Sequence, residues 1–104
     1  MSIEGRLLNL ELSLLGKWVF ENLPNAYYIF LDNNEVELFV NDMPFELSYG
    51  LSERDGKLYI TIINATNPDP NKVQSNEYEV LDISKSLGIL RLLTSKGEEL
   101  RFHP

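Results

Sequence analysis

The chain has 104 residues, no cysteine, one histidine and a formal net charge of −7. One domain spanning 1–104 is expected at this length. The lack of cysteine excludes disulfides, thiolate catalysis and cysteine metal sites. The acidic balance, with a pI of about 4.6, opposes phosphate backbones, so direct nucleic-acid binding is not expected.

The first element is leucine-rich, with Leu7, Leu8, Leu10, Leu12, Leu14 and Leu15 close together. Leu7, Leu8, Leu12 and Leu15 suit one helical face, whereas Leu8, Leu10, Leu12 and Leu14 suit a strand. Leu and Glu favour helix, and no β-branched residue follows Ile3 there, so a short N-terminal helix is expected. Gly16 would end it. Glu4 and Arg6 precede only a short, interrupted apolar stretch, so no signal peptide is expected there. No apolar run approaches the roughly 18 residues of a membrane helix. A cytoplasmic location is therefore expected for the chain as written. Ile3-Glu4-Gly5-Arg6 matches a protease site used in expression vectors. Had a leader been removed there, the expectation would become secreted or periplasmic.

From Lys17 onward the pattern has period two. Lys17 to Glu21 is short and aromatic, Leu23-Pro24-Asn25 is a turn or loop, and Ala26 to Leu31 is aromatic again. Asp32-Asn33-Asn34 reads as a hairpin turn into Glu35 to Asn41, where Val36, Leu38 and Val40 alternate with Glu35, Glu37 and Phe39. After a break at Asn41-Asp42-Met43-Pro44, Phe45, Leu47 and Tyr49 alternate with polar or small residues. Glu53-Arg54-Asp55-Gly56 is a strong hairpin turn, because Asp-Gly accepts positive φ. Leu58, Ile60 and Ile62 follow. The longest loop is expected over about Asn64 to Ser75, whose Asn-Pro-Asp-Pro core suits no paired strand. In Glu77 to Ile83, Tyr78 and Val80 share one parity and Leu81 and Ile83 the other, which predicts a bulge near Leu81. Ile89 to Thr94 and Glu98 to His103 form the last hairpin.

Eight strand-length runs with short connections predict an all-β fold, an antiparallel up-and-down meander closed into a small barrel behind a short N-terminal helix. An open two-sheet sandwich is the alternative. The expected core is Trp18, Phe20, Val36, Leu38, Val40, Phe45, Leu47, Leu58, Ile60, Ile62, Tyr78, Val80, Leu90, Leu92 and Phe102.

A short helix leading into Gly16-Lys17-Trp18 and then a meander resembles the lipocalin-like (calycin) families, whose first strand opens with Gly-x-Trp. Leu90, Leu92, Gly97 and Phe102 are similar to the ending of short bacterial lipocalin-like domains. The resemblance implies that Trp18 packs across one barrel end beside a basic residue of the last strand, Arg101 first and Arg91 second. It also implies binding of a small apolar ligand.

A search for chemistry leaves no catalytic set. His103 sits beside the C-terminal residue, a poor place for a rigid base. No Ser-His-Asp arrangement, zinc constellation or phosphate-cradling loop can be assembled. No cofactor and no enzymatic activity are expected. Asp32-Asn33-Asn34-Glu35 lacks the spacing of a calcium loop.

Two readings stand. Trp18, Phe20, Tyr28, Phe45, Tyr49, Tyr78 and Phe102 would line a pocket for a small apolar ligand. Alternatively the domain is an acidic interaction module for a basic protein partner, presenting Glu35, Glu37, Glu46, Glu53, Asp55, Glu77 and Glu79 as one outer face. Tyr27, Phe39, Tyr59 and Ile63 fall on the outward parity and would form an apolar patch if contiguous.

Overall fold

A computed structural model describes residues 3–23, 25–64 and 74–104. It contains one helix, α1 (Ile3–Leu14), followed by β1 (Gly16–Phe20), β2 (Ala26–Phe30), β3 (Glu35–Val40) and β4 (Met43–Arg54). After these come β5 (Lys57–Asn64), β6 (Gln74–Ser84), β7 (Ile89–Thr94) and β8 (Glu99–His103). Each strand pairs antiparallel with the next, and β8 returns to β1, closing the barrel. The sandwich alternative is thereby set aside. Closure uses only two register pairs at the seam, Val19 with His103 and Phe20 with Phe102.

The local turn chemistry explains the meander. Asn41-Asp42 and Asp55-Gly56 are two-residue loops in which both residues take positive φ, at 52° and 66° and at 52° and 78°. That is the turn whose twist matches the flanking strands. β4 is longer than the sequence suggests, because Met43 and Pro44 already pair with Val40 and Phe39. The proline is tolerated because β4 pairs β3 through its first half and β5 only from Ser48 onward. The expected bulge is present: the β6–β7 register slips between Val80 and Asp82. The slip leaves Leu81 outside and turns Ile83 against the core. Residues 65–73 of the expected long loop lie outside the described residues. Its flanks, Asn64 and Ser75, are strand instead.

The interior is filled at one end. Leu14, Trp18, Phe30, Val36, Ile60, Leu90 and Leu92 are each at most 2% exposed. An aromatic chain runs through the barrel from Phe20 to Tyr28, Phe30 and Tyr49, with ring centroids 5.1, 5.5 and 5.2 Å apart. Helix α1 packs on β4 and β6 and covers the filled end. Its apolar face differs from the expected one. Leu10 and Leu14 are buried, whereas Leu8 and Leu12 are exposed. The last-turn carbonyls lack helical partners, and two side chains supply them. Trp18 donates its indole N–H to the Leu14 carbonyl at 2.8 Å, and Lys85 donates to the Leu15 carbonyl at 2.7 Å. A lysine there also complements the helix dipole. Gly16, at φ +110°, makes the sharp exit into β1.

Leu58 is half-buried and stands outside the core cluster, and two further expected core residues are corrected. Val40 is 36% and Phe45 44% exposed. Both have inward parity, but they lie beyond the filled layer, toward the end away from α1. Ala26, Tyr28, Phe30 and Tyr49 take core positions in their stead.

On the outer face of β7–β8, Arg91 and Arg101 stand directly opposite each other. Glu99 binds both, with Arg91 at 2.8 Å. Hydrogen bonds from Arg91, then Arg101, lower the Glu99 carboxyl from 4.5 to about 2. Its folded value lies below its unfolded one, so its stabilising effect is complete above about pH 4.5 and is lost as pH falls through about 2. Glu99→Gln is expected to lower the urea midpoint near neutral pH and to flatten its decline under acid. Unfolding curves of both proteins across that range check this. A variant with the parent's acid profile would show that Glu99 has no such role.

Candidate functional site

Helix α1 covers one end of the barrel; at the other, the described residues leave part of the interior unfilled. A cavity of about 440 Å³ opens there. Tyr28, Leu38, Val40, Phe45 and Leu47 line it from β2, β3 and β4. Ile62, Asn64, Asn76 and Tyr78 line it from β5 and β6. All of these positions have inward parity on their strands, so the cavity is the unfilled upper part of the barrel core. Its volume falls within the roughly 300–1,000 Å³ of small-molecule sites.

Its two walls differ. The β3–β4 side is aliphatic and aromatic, built on the register pairs Leu38–Phe45 and Val36–Leu47. The β5–β6 side carries the carboxamides of Asn64 and Asn76 and the phenol of Tyr78. Burial, followed by contact with the Tyr78 hydroxyl, raises the Tyr28 phenol above its ordinary value; burial raises Tyr78 as well. Both phenols therefore stay neutral well past physiological pH.

Of the seven aromatics expected to form a pocket, Tyr28, Phe45 and Tyr78 line the cavity. Trp18 and Tyr49 are packed in the interior instead. The Tyr49 hydroxyl donates to the Leu31 carbonyl at 2.8 Å. Phe20 and Phe102 pack on each other, centroids 4.6 Å apart, and both rings pack against Tyr28. Leu38, Val40, Leu47 and Ile62 were expected as plain core. Asn64 and Asn76 were missed because asparagine reads as loop or solvent face, although Asn64 shares the parity of Ile62 and Asn76 that of Tyr78.

Trp18 and Arg101 are not brought together. Trp18 points inward and bonds the helix end, while Arg101 is outside on Glu99. Arg91, the second candidate, is engaged by the same carboxylate. The physical reason is strand parity: Phe102 faces inward, so its neighbour Arg101 must face out.

The acidic residues do not form one face either. Glu77 pairs with Arg54, and Glu79 with Lys57 at 3.8 Å. Asp55 sits in the β4–β5 turn, and Glu53 takes the inward parity of Tyr49 and Leu51 opposite Leu58. Glu35, Glu37 and Glu46 remain together on the β3–β4 outer face, with Glu37 directly across from Glu46. The outer apolar patch also divides. Tyr27 and Phe39 stack at 4.8 Å, with Lys17 Nζ 4.4 Å over Tyr27. Tyr59 lies two strands on from Phe39, beneath Arg54, and Ile63 is on that same strand.

Compared with known proteins, the chain matches no family model, no curated protein and no solved structure. Among the described residues no helix is long and apolar enough to cross a membrane.

Proposed function

We propose that the domain is a non-catalytic carrier of a small, largely apolar molecule, held in the open end of the barrel. The observation that carries the reading is the 440 Å³ cavity, walled by Tyr28, Phe45, Tyr78 and aliphatic side chains over a filled floor. A lipocalin-like relationship belongs to the same proposal. It is supported by the eight-stranded meander and by Gly16-Lys17-Trp18 opening β1 at the helix-covered end.

Native mass spectrometry of gently purified protein tests the reading, with a co-purifying small-molecule mass as the expected result. Phe45→Ala removes an exposed wall and should weaken binding of an added ligand by about tenfold, the worth of one buried aromatic contact. Leu38→Trp should fill the cavity and abolish binding. Far-UV circular dichroism checks that both variants fold. Unchanged affinity in two folded variants would overturn the proposal.

A second reading, docking of a basic protein partner, has one observation in its favour. Like charges directly opposed on a sheet are destabilising, yet Glu37 and Glu46 are so placed with Glu35 beside them. Salt-sensitive capture of a basic partner that fails with Glu37→Gln/Glu46→Gln would support it.

A further inference from the structure

We infer that the cavity selects an uncharged ligand, one whose hydrogen-bonding edge lies on the β5–β6 wall and whose apolar edge lies on the β3–β4 wall. The inference rests on the carrier reading and adds the chemical class of the cargo. Among the described residues that line the cavity, none carries a charge. A carboxylate or phosphate would leave water there with no guanidinium or ammonium among those residues to meet it. A quaternary ammonium would find no carboxylate among them. A charge removed from water without a partner is penalised far more than a neutral polar group that finds a hydrogen bond.

What the cavity offers is neutral hydrogen bonding on one side only. Asn76 sits opposite Ile62 in the β5–β6 register, with Tyr78 two residues further along on the same face. Both phenols are neutral hydrogen-bonding groups, and burial raises their pKa further. Across the opening, Leu38, Phe45 and Leu47 supply no hydrogen-bonding side chain. The groove beyond Asn76 holds Lys96, but with Glu77 and Glu98 on the same surface. Among the described residues of that groove, Lys96 is thus outnumbered by acids, and the chain's net charge of −7 disfavours an arriving anion further.

Decanamide, decanoate and decyltrimethylammonium share one hydrocarbon tail and differ in head charge. Their affinities for the whole domain, measured by displacement of an uncharged solvatochromic dye, separate the possibilities. The expected result is decanamide binding at least about tenfold more tightly than either ion. Asn76→Lys, at an exposed position, is expected to narrow or reverse the preference for decanamide over decanoate. Decanoate or decyltrimethylammonium binding as tightly as decanamide to the parent would overturn the inference and leave the carrier reading intact. No binding by the dye or by any of the three would overturn the carrier reading, and the inference with it.

Discussion

Trp18→Ala is expected to destabilise the domain by about 3–5 kcal/mol, the range for removing a large buried aromatic. Trp18 is 1% exposed and lies where β1 leaves the helix. Truncation removes its share of the apolar core and opens a void beneath α1. It also orphans the Leu14 carbonyl, whose partner is the indole N–H at 2.8 Å. Small domains hold only about 5–15 kcal/mol in total, so the variant should approach the limit of folding. Urea titration followed by far-UV circular dichroism measures the loss. Trp18→Phe separates its two components, because it keeps most of the ring and loses the hydrogen bond, worth about 0.5–1.5 kcal/mol. A loss below about 1 kcal/mol for Trp18→Ala would mean that the helix end does not depend on the indole.

The second large effect concerns the helix face. Leu14→Asp is expected to cost about 4 kcal/mol or more, while Leu12→Asp should stay within about 0.5 kcal/mol. Leu14 is 0% exposed and Leu12 is 56% exposed, although both lie in the last turn of α1. An aspartate at 14 would be buried beside Trp18, while the nearby Lys85 ammonium is engaged outside the core on the Leu15 carbonyl. The aspartate at 12 would stand in water. Equal effects at the two positions would show that α1 does not cover the barrel end through Leu10 and Leu14. If α1 were then loosely held, amide exchange in α1 would be fast in the parent protein as well.

The two sites are coupled through one local arrangement. Leu14, Leu15, Gly16 and Trp18 are consecutive enough that the helix terminus, the glycine exit and the capping indole form one unit. Lys85 reaches it from the far end of β6. This unit seals one end of the barrel and so determines that the cavity opens at the other. A ligand in the cavity would not touch Trp18. Tyrosine signals from Tyr28 and Tyr78 should therefore report binding, while tryptophan fluorescence should report the integrity of the helix end.

The strands, their order and most turns were legible in the sequence, because each depends on neighbours a few residues away. Alternation placed Val36, Ile60, Ile62, Leu90, Leu92 and Phe102 inside. Asp55-Gly56 formed a turn through its own positive φ. The parity change across Leu81 announced the bulge. Parity also held information that aromatic composition obscured. It places Arg101 outside beside Phe102, Glu53 inward, and Asn64 and Asn76 on the interior wall.

Only the tertiary structure decided which leucines of α1 are buried, which end of the barrel is sealed, and therefore which inward residues remain half open. Val40 and Phe45 carry the same alternation signal as Val36 and Leu47, yet they line a mouth and not a floor. The physical reason is that period-two alternation specifies a side of the sheet and not a height along the barrel. Height becomes meaningful only once eight strands have closed and α1 has docked on one rim. Both events join residues far apart in the chain, as Lys85 and Leu15 are joined, 70 positions apart.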